Sequence, residues 1–474
     1  MTDLVYTPPG VYVDENASPV PNVGSVVALP PSRVAIVGPS VGYRTQTDTV
    51  QLGASPVTLT QVGVDTATVV VSSLDGVIYT LTTDYLVTET GAVPEEAVTT
   101  ITRQSGGAIP LNSIVYVAYR YTDSDYYQPY FTTDWDEIQS RYGAAINVDG
   151  TIGSPLSLAA KIVFEHGARE VILVPTAGST PSSVSAAQLA AGLARLNARD
   201  DVGIVVPLGV GISGTDGSPG ETTTICTDLR SHVVNATADG MYRYGIIGLD
   251  KLAVRSHDAL AESIASLRVI LAYPNVLNWY NGYTNLVMEL SGYYLAAAYA
   301  GRMAAMSPQS PLTQKQIVSF ASIPARVFNA MTPAFKNNLS GSGVAVLEQN
   351  SGGKLVVRHG VSTDMTSVLT REASITRAKD TLLRLVNQSL DRAGFVGEPL
   401  TLNSPIHVRG IVEGALVQAR QLGIIIEYSN LAVKRSTVDP TALDVKFAYD
   451  PAYPNNKINV SFSINTVTGT VQEV

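Results

Sequence analysis

One cysteine, five histidines and two tryptophans are all that 474 residues hold of the side chains that most often carry chemistry or staple a small fold. Cys226 has no second thiol to pair with, which excludes an intrachain disulfide framework and any cysteine-based zinc cluster. It fits a small buried hydrophobe in a protein made in a reducing cytoplasm. His166, His232, His257, His359 and His407 stand apart, with no His-Glu-x-x-His pair, no Gly-x-Ser-x-Gly elbow and no phosphate- or calcium-binding loop. Each histidine therefore reads as a structural or surface residue rather than a base, and no catalytic residue, metal or cofactor is expected. The carboxylate pairs Glu95-Glu96, Asp123 with Asp125, and Asp134 with Asp136 and Glu137 fall in turns or at a helix start. Solvation and the positive end of a helix account for them.

Long apolar runs are also missing. The nearest to a membrane span, Leu286 to Met306, is interrupted by Glu289 and Arg302 and is rich in Ala and Gly, which predicts a buried, closely packed helix. Met1-Thr2-Asp3-Leu4 has neither a basic n-region nor an apolar stretch, so a soluble chain without a cleaved secretion signal is expected. Positive charge is scarce as well. With 31 basic against 40 acidic residues the net charge is -9, and the dispersed basic residues leave no footprint for nucleic acid or direct membrane insertion. Protein partners fit this surface better.

What is present is organised in blocks. Arg33 to Gly38 reads as a buried strand, and between about Val50 and Thr122 the chain is crowded with Val, Thr and Tyr. Strands are predicted over Ala67 to Leu74, Val77 to Leu81, Tyr85 to Thr88, Val98 to Thr102 and Ile114 to Tyr121, with Asp75-Gly76 as a tight turn. Helices then alternate with apolar strands: Ser157 to His166 with Glu170 to Val174, Ser185 to Asn197 with Val202 to Leu208, Thr223 to Ala236 with Tyr244 to Gly248, and Ser256 to Leu267 with Arg268 to Ala272. Four such pairs predict a mostly parallel sheet covered by helices. An Ala-rich helix over Ser291 to Met306 follows. Beyond Gly360, Ile375, Ala378, Leu382, Leu385, Val386 and Leu390 form one stripe of a helix, a second helix covers Pro405 to Leu422, and strands follow over Ile424 to Tyr428, Leu443 to Tyr449 and Lys457 to Ile464.

The expected organisation is an extended arm over 1–32, a first core segment over 33–49, an inserted all-β domain over 50–122 and an α/β core over 123–359. An α+β C-terminal domain over 360–455 and a strand arm over 456–474 complete it. Gly209-Val210-Gly211-Ile212-Ser213-Gly214 nominally matches a dinucleotide loop, but Thr215 to Gly220 breaks a helix where that site needs one to open. A loop is expected there. Both ends of the chain read as spare strands: Val11, Tyr12 and Val13 near the start, flanked by prolines, and Ile458, Val460, Phe462 and Ile464 near the end, alternating with polar residues. Unpaired strands are templates for another chain, so strand exchange with neighbours is expected.

Several stretches share one resemblance. They are Pro9-Gly10-Val11-Tyr12-Val13-Asp14-Glu15, Val34-Ala35-Ile36-Val37-Gly38, Ser154-Pro155-Leu156-Ser157-Leu158-Ala159-Ala160, Ala272-Tyr273-Pro274-Asn275 and Gly292 to Gly301. In the C-terminal part they are Glu372-Ala373-Ser374-Ile375, Arg377-Ala378-Lys379-Asp380, Phe395-Val396-Gly397, Asp439-Pro440-Thr441 and Tyr449 to Pro454. In this order and spacing the chain resembles the tail sheath proteins of contractile-tailed bacteriophages and related contractile injection systems over nearly its whole length. The match is weakest in Gly209 to Glu221 and in the β-rich insertion.

The resemblance implies a structural protein, not an enzyme, with a subtilisin-like but non-catalytic α/β core and an outward-facing insertion. It implies hexameric rings stacked as a helical sheath around a tail tube, tied by terminal arms that add strands to neighbours' C-terminal domains. Contraction would drive the tube through the host envelope for genome ejection. Tube protein, baseplate and tail terminator are the implied partners, and the virion tail, assembled in the host cytoplasm, the implied location. Two other classes touch parts of the sequence: a nucleotide- or substrate-binding α/β enzyme using Gly209 to Gly214, and a surface fibre or shell protein. The first lacks its helix, and the second sits poorly with a large α/β core and no secretion signal.

Overall fold

Val34 to Val37 are fully buried, an unbroken apolar run that suits a strand covered on both faces. The computed structural model describes residues 33–40, 43–91, 97–122, 127–176, 184–210, 219–253, 256–395, 397–459, 461, 463–465 and 471–473, and in it this run is β1 (Arg33–Pro39). After a β-rich excursion the chain returns through β8 (Tyr130–Thr132), α1 (Trp135–Tyr142) and α2 (Pro155–Glu165) to β9 (Val171–Thr176). Then come α3 (Ala186–Ala194), β10 (Val202–Pro207), α4 (Pro219–Ala238), β11 (Tyr244–Gly248), α5 (His257–Ile264) and β12 (Val269–Tyr273). All four predicted helix–strand pairs are present. The helix starts follow local rules: Ser154 accepts from the Ser157 amide at 3.2 Å ahead of Pro155, and Ser185 forms a capping box with Gln188.

The apolar stretch Leu286 to Met306 divides where the Ala-rich helix expected over Ser291 to Met306 begins. Its first part is a strand of a hairpin, β13 (Val276–Asn281) with β14 (Leu286–Ser291), and only Gly292 onward is helical, as α6 (Gly292–Ala305). The reason is the ladder to β13, which claims Leu286 to Ser291 before the helix begins. Short helices α7 (Ala325–Phe328) and α8 (Pro333–Gly341) lead to β15 (Val344–Gln349) and β16 (Leu355–Val357).

These strands form an eight-stranded sheet in the order β16-β15-β12-β11-β10-β1-β9-β8. The inner pairings are parallel, and only β8 and β16, at the margins, run antiparallel. Helices cover both faces. On β11 a Cβ at Gly245 would strike Leu229 of α4, while three residues on, and so on the other face, one at Gly248 would lie 1.9 Å from the carbonyl oxygen of Gly292 on α6. Glycine at both ends of that contact lets the backbones of strand and helix meet.

The excursion comprises β2 (Tyr43–Leu52), β3 (Val57–Val62), β4 (Val64–Ser73), β5 (Tyr85–Thr90), β6 (Val98–Arg103) and β7 (Ser113–Thr122). They make two antiparallel three-stranded sheets, β2-β7-β4 and β3-β6-β5, around a separate apolar cluster that includes Leu52, Val71, Ile101, Val115 and Val117. The expected start at residue 50 falls inside β2, which pairs with β7 from Tyr43 onward; polar Thr45 to Asp48 become strand because a long-range partner is there. Val77 to Leu81 is not a full strand. It makes single bridges, Ser72 to Ile78 and Leu81 to Tyr85, beyond a turn in which Gly76 takes φ +84°.

A third cluster lies C-terminal. After α9 (Val368–Arg371), α10 (Ala373–Arg392) buries its predicted stripe against α11 (Ser404–Gln421) and the antiparallel pair β17 (Ile425–Arg435) and β18 (Leu443–Pro451). The last elements are β19 (Ser463–Asn465) and β20 (Val471–Glu473), paired with each other.

Candidate functional site

Few described side chains stand close enough together to carry chemistry. Glu165, His166 and Ser319 come together, yet they are wired as structure: the His166 ring accepts from the Val318 amide at Nε2 (3.1 Å) and bonds the Ile162 carbonyl through Nδ1 (2.8 Å), while Ser319 donates to Glu165 at 2.5 Å. Ser319 Oγ faces Nδ1 at 3.4 Å, but with Nε2 accepting from a backbone amide Nδ1 carries the ring proton and donates it to the Ile162 carbonyl, so the imidazole has no free lone pair for the serine's proton. Of the Gly209 to Gly214 loop, residues 211–214 lie outside the described residues, as do 215–218 after it, and α4 begins at Pro219, past the motif. Among the described residues, no group of three or more His, Cys, Asp and Glu side chains is placed to hold a metal ion, and no helix is long and apolar enough to cross a membrane.

The surfaces are more informative. β17 and β18 have only each other as strand neighbours among the described residues, so each presents one ladder edge unpaired. Their inner face is held from below: Phe447, Val445, Val433 and Leu431 pack on the cluster of α10 and α11, and Arg420 pairs with Glu427 at 2.9 Å.

The spare-strand residues fall in three groups. Val11, Tyr12, Val13, Val460 and Phe462 lie outside the described residues. Ile458 is 76% exposed, in a stretch from 452 to 459 without regular structure, so the strand expected from Lys457 does not form there. A ladder needs a partner, and within one described chain none runs beside it. Ile464 sits in β19, whose ladder is with β20.

The root of this terminal segment is fastened in a way the sequence did not announce. Asn456 Nδ2 donates to Glu372 Oε1 at 2.9 Å and lies 3.1 Å from His359 Nε2, which itself lies 2.9 Å from the same carboxylate oxygen; Arg371 donates to it at 3.1 Å. Burial pushes the Glu372 carboxyl up, but His359, Arg371 and Asn456 outweigh that and hold it below the ordinary carboxylate range. The terminal segment thus leaves the body at a defined point.

α10 joins the two clusters. Ala373 belongs to the central core, whereas Ala378, Leu382, Leu385, Val386 and Leu390 belong to the C-terminal cluster. Its first turns are locked by polar contacts: Asp380 accepts two bonds of 2.7 Å from Arg268 beside β12, and Tyr244 donates to the Ala373 carbonyl at 3.2 Å. Arg377 donates to the Met303 carbonyl at 2.7 Å in the last turn of α6, where a cation complements the helix dipole. Burial brings Arg377 down to about 10, still charged at neutral pH.

Two further features escaped the sequence reading. Trp135 and Trp279 both line one groove of about 790 Å³ between α1, α2 and β13, with Lys161, Tyr280 and Tyr283. At the far end of the β-rich unit, Leu74, Val77 and Ile78 are 54%, 59% and 70% exposed. Neither is a motif. Residues distant in sequence meet in the groove, and exposure is not readable from an apolar run.

The chain is 32% identical over 425 residues to a tail sheath protein of Mycobacterium phage Bxz1, covering 87% of this chain and 70% of that one. A tail sheath protein of Bacillus phage SP01 is 30% identical over 220 residues, 45% of this chain and 37% of the other. No protein-family model matches the sequence. In fold, the chain is similar to the helical sheath of the anti-feeding prophage in its contracted state, with a TM-score of 0.55 at 13% identity over 97% of this chain and 99% of that one. It is similar also to the contracted sheath of PVC, an extracellular contractile injection system, with a TM-score of 0.50 at 12% identity over 98% and 99%. With 32% identity sustained over most of this chain and of the Bxz1 protein, and a mixed sheet under helices, the chain belongs to the tail sheath proteins, structural subunits rather than enzymes.

Proposed function

We propose that the protein is the repeating subunit of a contractile tail sheath, in which hexameric rings stack helically around a tail tube and arms from neighbouring subunits complete the β17–β18 sheet. The observation that carries this reading is that sheet: two strands, well anchored on α10 and α11, with both outer edges unpaired among the described residues. Strand addition suits such edges, because backbone pairing gives affinity without a shaped pocket. A heterologous contact of this kind does not close on itself and so builds a filament. Contraction is then a switch between two packings of nearly rigid subunits, with the arms as tethers; the likeness to two contracted sheaths supports it. Tube protein, baseplate and tail terminator are the partners, and assembly takes place in the host cytoplasm before the subunit joins the virion tail. The three apolar clusters support a division into a subtilisin-like core, an inserted β domain and a C-terminal α+β domain.

Two truncations test the tethers: removal of the residues before Val20, or of those after Asn456. Each is expected to leave a folded protein that melts as the full chain does and forms no tubes by negative-stain electron microscopy. Normal tubes from either truncation would sink the strand-exchange reading.

A further inference from the structure

Between the acidic pair Asp14-Glu15 and Arg33, residues 16–32 hold no charged side chain, and they carry Pro19, Pro21, Pro30 and Pro31 among Val20, Val23, Val26, Val27 and Leu29. Apolar side chains at this density are costly to leave in water. Proline holds φ at about −65°, so such a segment is partly ordered beforehand and loses little entropy on docking. These residues lie outside the described ones, but the point where they join the body is fixed. Arg33 pairs with Glu170 and, at 2.6 Å, with Asp201, and its guanidinium stands 4.6 Å over the Phe131 ring.

That point lies at the margin of the core from which the tryptophan-lined groove opens. Val34 of β1 and Thr132 of β8 both stand opposite Val171, so β1, β9 and β8 share this end of the sheet. α1 begins there with Trp135, and α2 ends there with Glu165, shortly before Glu170. Two strand spacings and three residues of chain put Trp135 on the order of 20 Å from Arg33, which about six extended residues span. Pro30 and Pro31 are too close to Arg33 to reach the groove. Pro21, 12 residues before Arg33, and Pro19 reach it with chain to spare.

The groove suits that occupant. Its walls are Trp135, Trp279, Tyr280 and Tyr283, and the two tyrosines are 53% and 62% exposed. Aromatic-lined grooves are the usual receptors of proline-bearing extended segments. The only charges on the wall, Lys161 and Glu165, stand one turn apart on α2 and balance each other, so an uncharged ligand is favoured over either sign. At about 790 Å³ the groove has room for a few residues. A short tether gives the chain's own segment a high effective concentration, which a separate molecule would have to match.

We propose that the Pro19-Val20-Pro21 segment seats in the aromatic groove of its own chain. The seat stands without the sheath reading. Given that reading, it fixes where the N-terminal arm departs, as Asn456 does for the C-terminal segment, and leaves Asp14 to Ser18 as the free connection to the Val11 to Val13 strand.

Trp135 and Trp279 are the only tryptophans of the chain, so the fluorescence of the full-length, unassembled subunit reports on this groove alone. Pro19→Asp with Pro21→Asp puts charge where none is accommodated, and is expected to shift emission to longer wavelength and strengthen acrylamide quenching about twofold. Pro30→Asp with Pro31→Asp, held away by the tether, is expected to change neither. Unaltered fluorescence in the first variant, or an equal change in the second, overturns the seat. Val20→Cys with Gln139→Cys tests whose segment it is: under oxidation of the monomer an intrachain disulfide is expected, since bridged Cα atoms must lie within roughly 7 Å, and the buried Cys226 is the only other thiol. Linked dimers, or no bridge, overturn the own-chain seat. Neither readout needs tubes, so a closed bridge in a protein that never builds tubes sinks the sheath reading alone, and normal tubes without the bridge sink the seat alone.

Discussion

Both margins of the central sheet end in three-residue antiparallel strands, β8 and β16, and the outer side of β16 is bonded again by residues 314–317, with Gln314 donating to Val357 at 2.7 Å and Ile317 to Leu355 at 2.9 Å. β17 and β18, eleven and nine residues long, have no such closure among the described residues. Short, covered margins are how proteins prevent unwanted strand pairing. The same chain blunts one sheet and, among the described residues, leaves the other bare, which is why the proposed arm is assigned to it. Their interiors differ as well: β1, β9, β11 and β12 are buried almost throughout, while β17 and β18 are mostly half-buried.

The contrast has force only if both sheets ride on one body, and the largest test strikes their junction. Asp380→Ala leaves the buried Arg268 charge without its carboxylate, an expected loss of about 3–5 kcal/mol in denaturant unfolding. A loss under about 1 kcal/mol would mean that the two units are independent. Next comes acid. Burial, with Arg243 nearby in the first case, pushes His232 and His257 down to about 4, and both lie on core helices. Their folded values lie below the unfolded one, so the unfolded chain binds the extra protons between about pH 6.5 and 4, and stability falls as pH falls through that window. From pH 7 to 5 each imidazole is expected to remove about 2 kcal/mol. His257→Phe should halve that dependence; an unaltered pH profile would contradict the assignment.

Smaller effects sharpen the C-terminal side. Asn456→Ala removes a donor from the Glu372 carboxylate and should cost about 1 kcal/mol, with faster amide exchange over 452–459 as its signature. Because Glu372 is held low, its own contribution is present above the ordinary carboxylate pKa of about 4.3 and is lost as pH falls through the lower folded value. Ile458→Lys, at an exposed site, should change subunit stability by less than about 0.5 kcal/mol while preventing tube growth. Unimpaired tubes would remove Ile458 from the strand arm.

Legibility in the sequence followed the range of the interactions. The four helix–strand pairs and the α10 stripe were visible because burial on one face or two imprints a period on neighbouring residues. The start of β2 at polar Tyr43 to Asp48 was not, since β7, some seventy positions on in the ladder register, decides it. Nor was the strand over Leu286 to Ser291, where apolar composition suits strand and helix alike. Arg268 and Asp380 stand 112 positions apart, and nothing local distinguishes them from surface charges. The groove joins two tryptophans from distant elements, so it exists only once the sheet is laid out.

α10 has one more consequence. Twenty residues of helix span about 30 Å, fixed in the core at one end by Arg268, Tyr244 and Arg377 and carrying the bare sheet near the other. A tilt of about 10° at the fixed end sweeps the far end through about 5 Å, close to the spacing between neighbouring strands. The helix is a lever whose throw is close to one strand width, so a small tilt at the Arg268–Asp380 junction displaces the β17–β18 sheet by about the spacing of its own ladder.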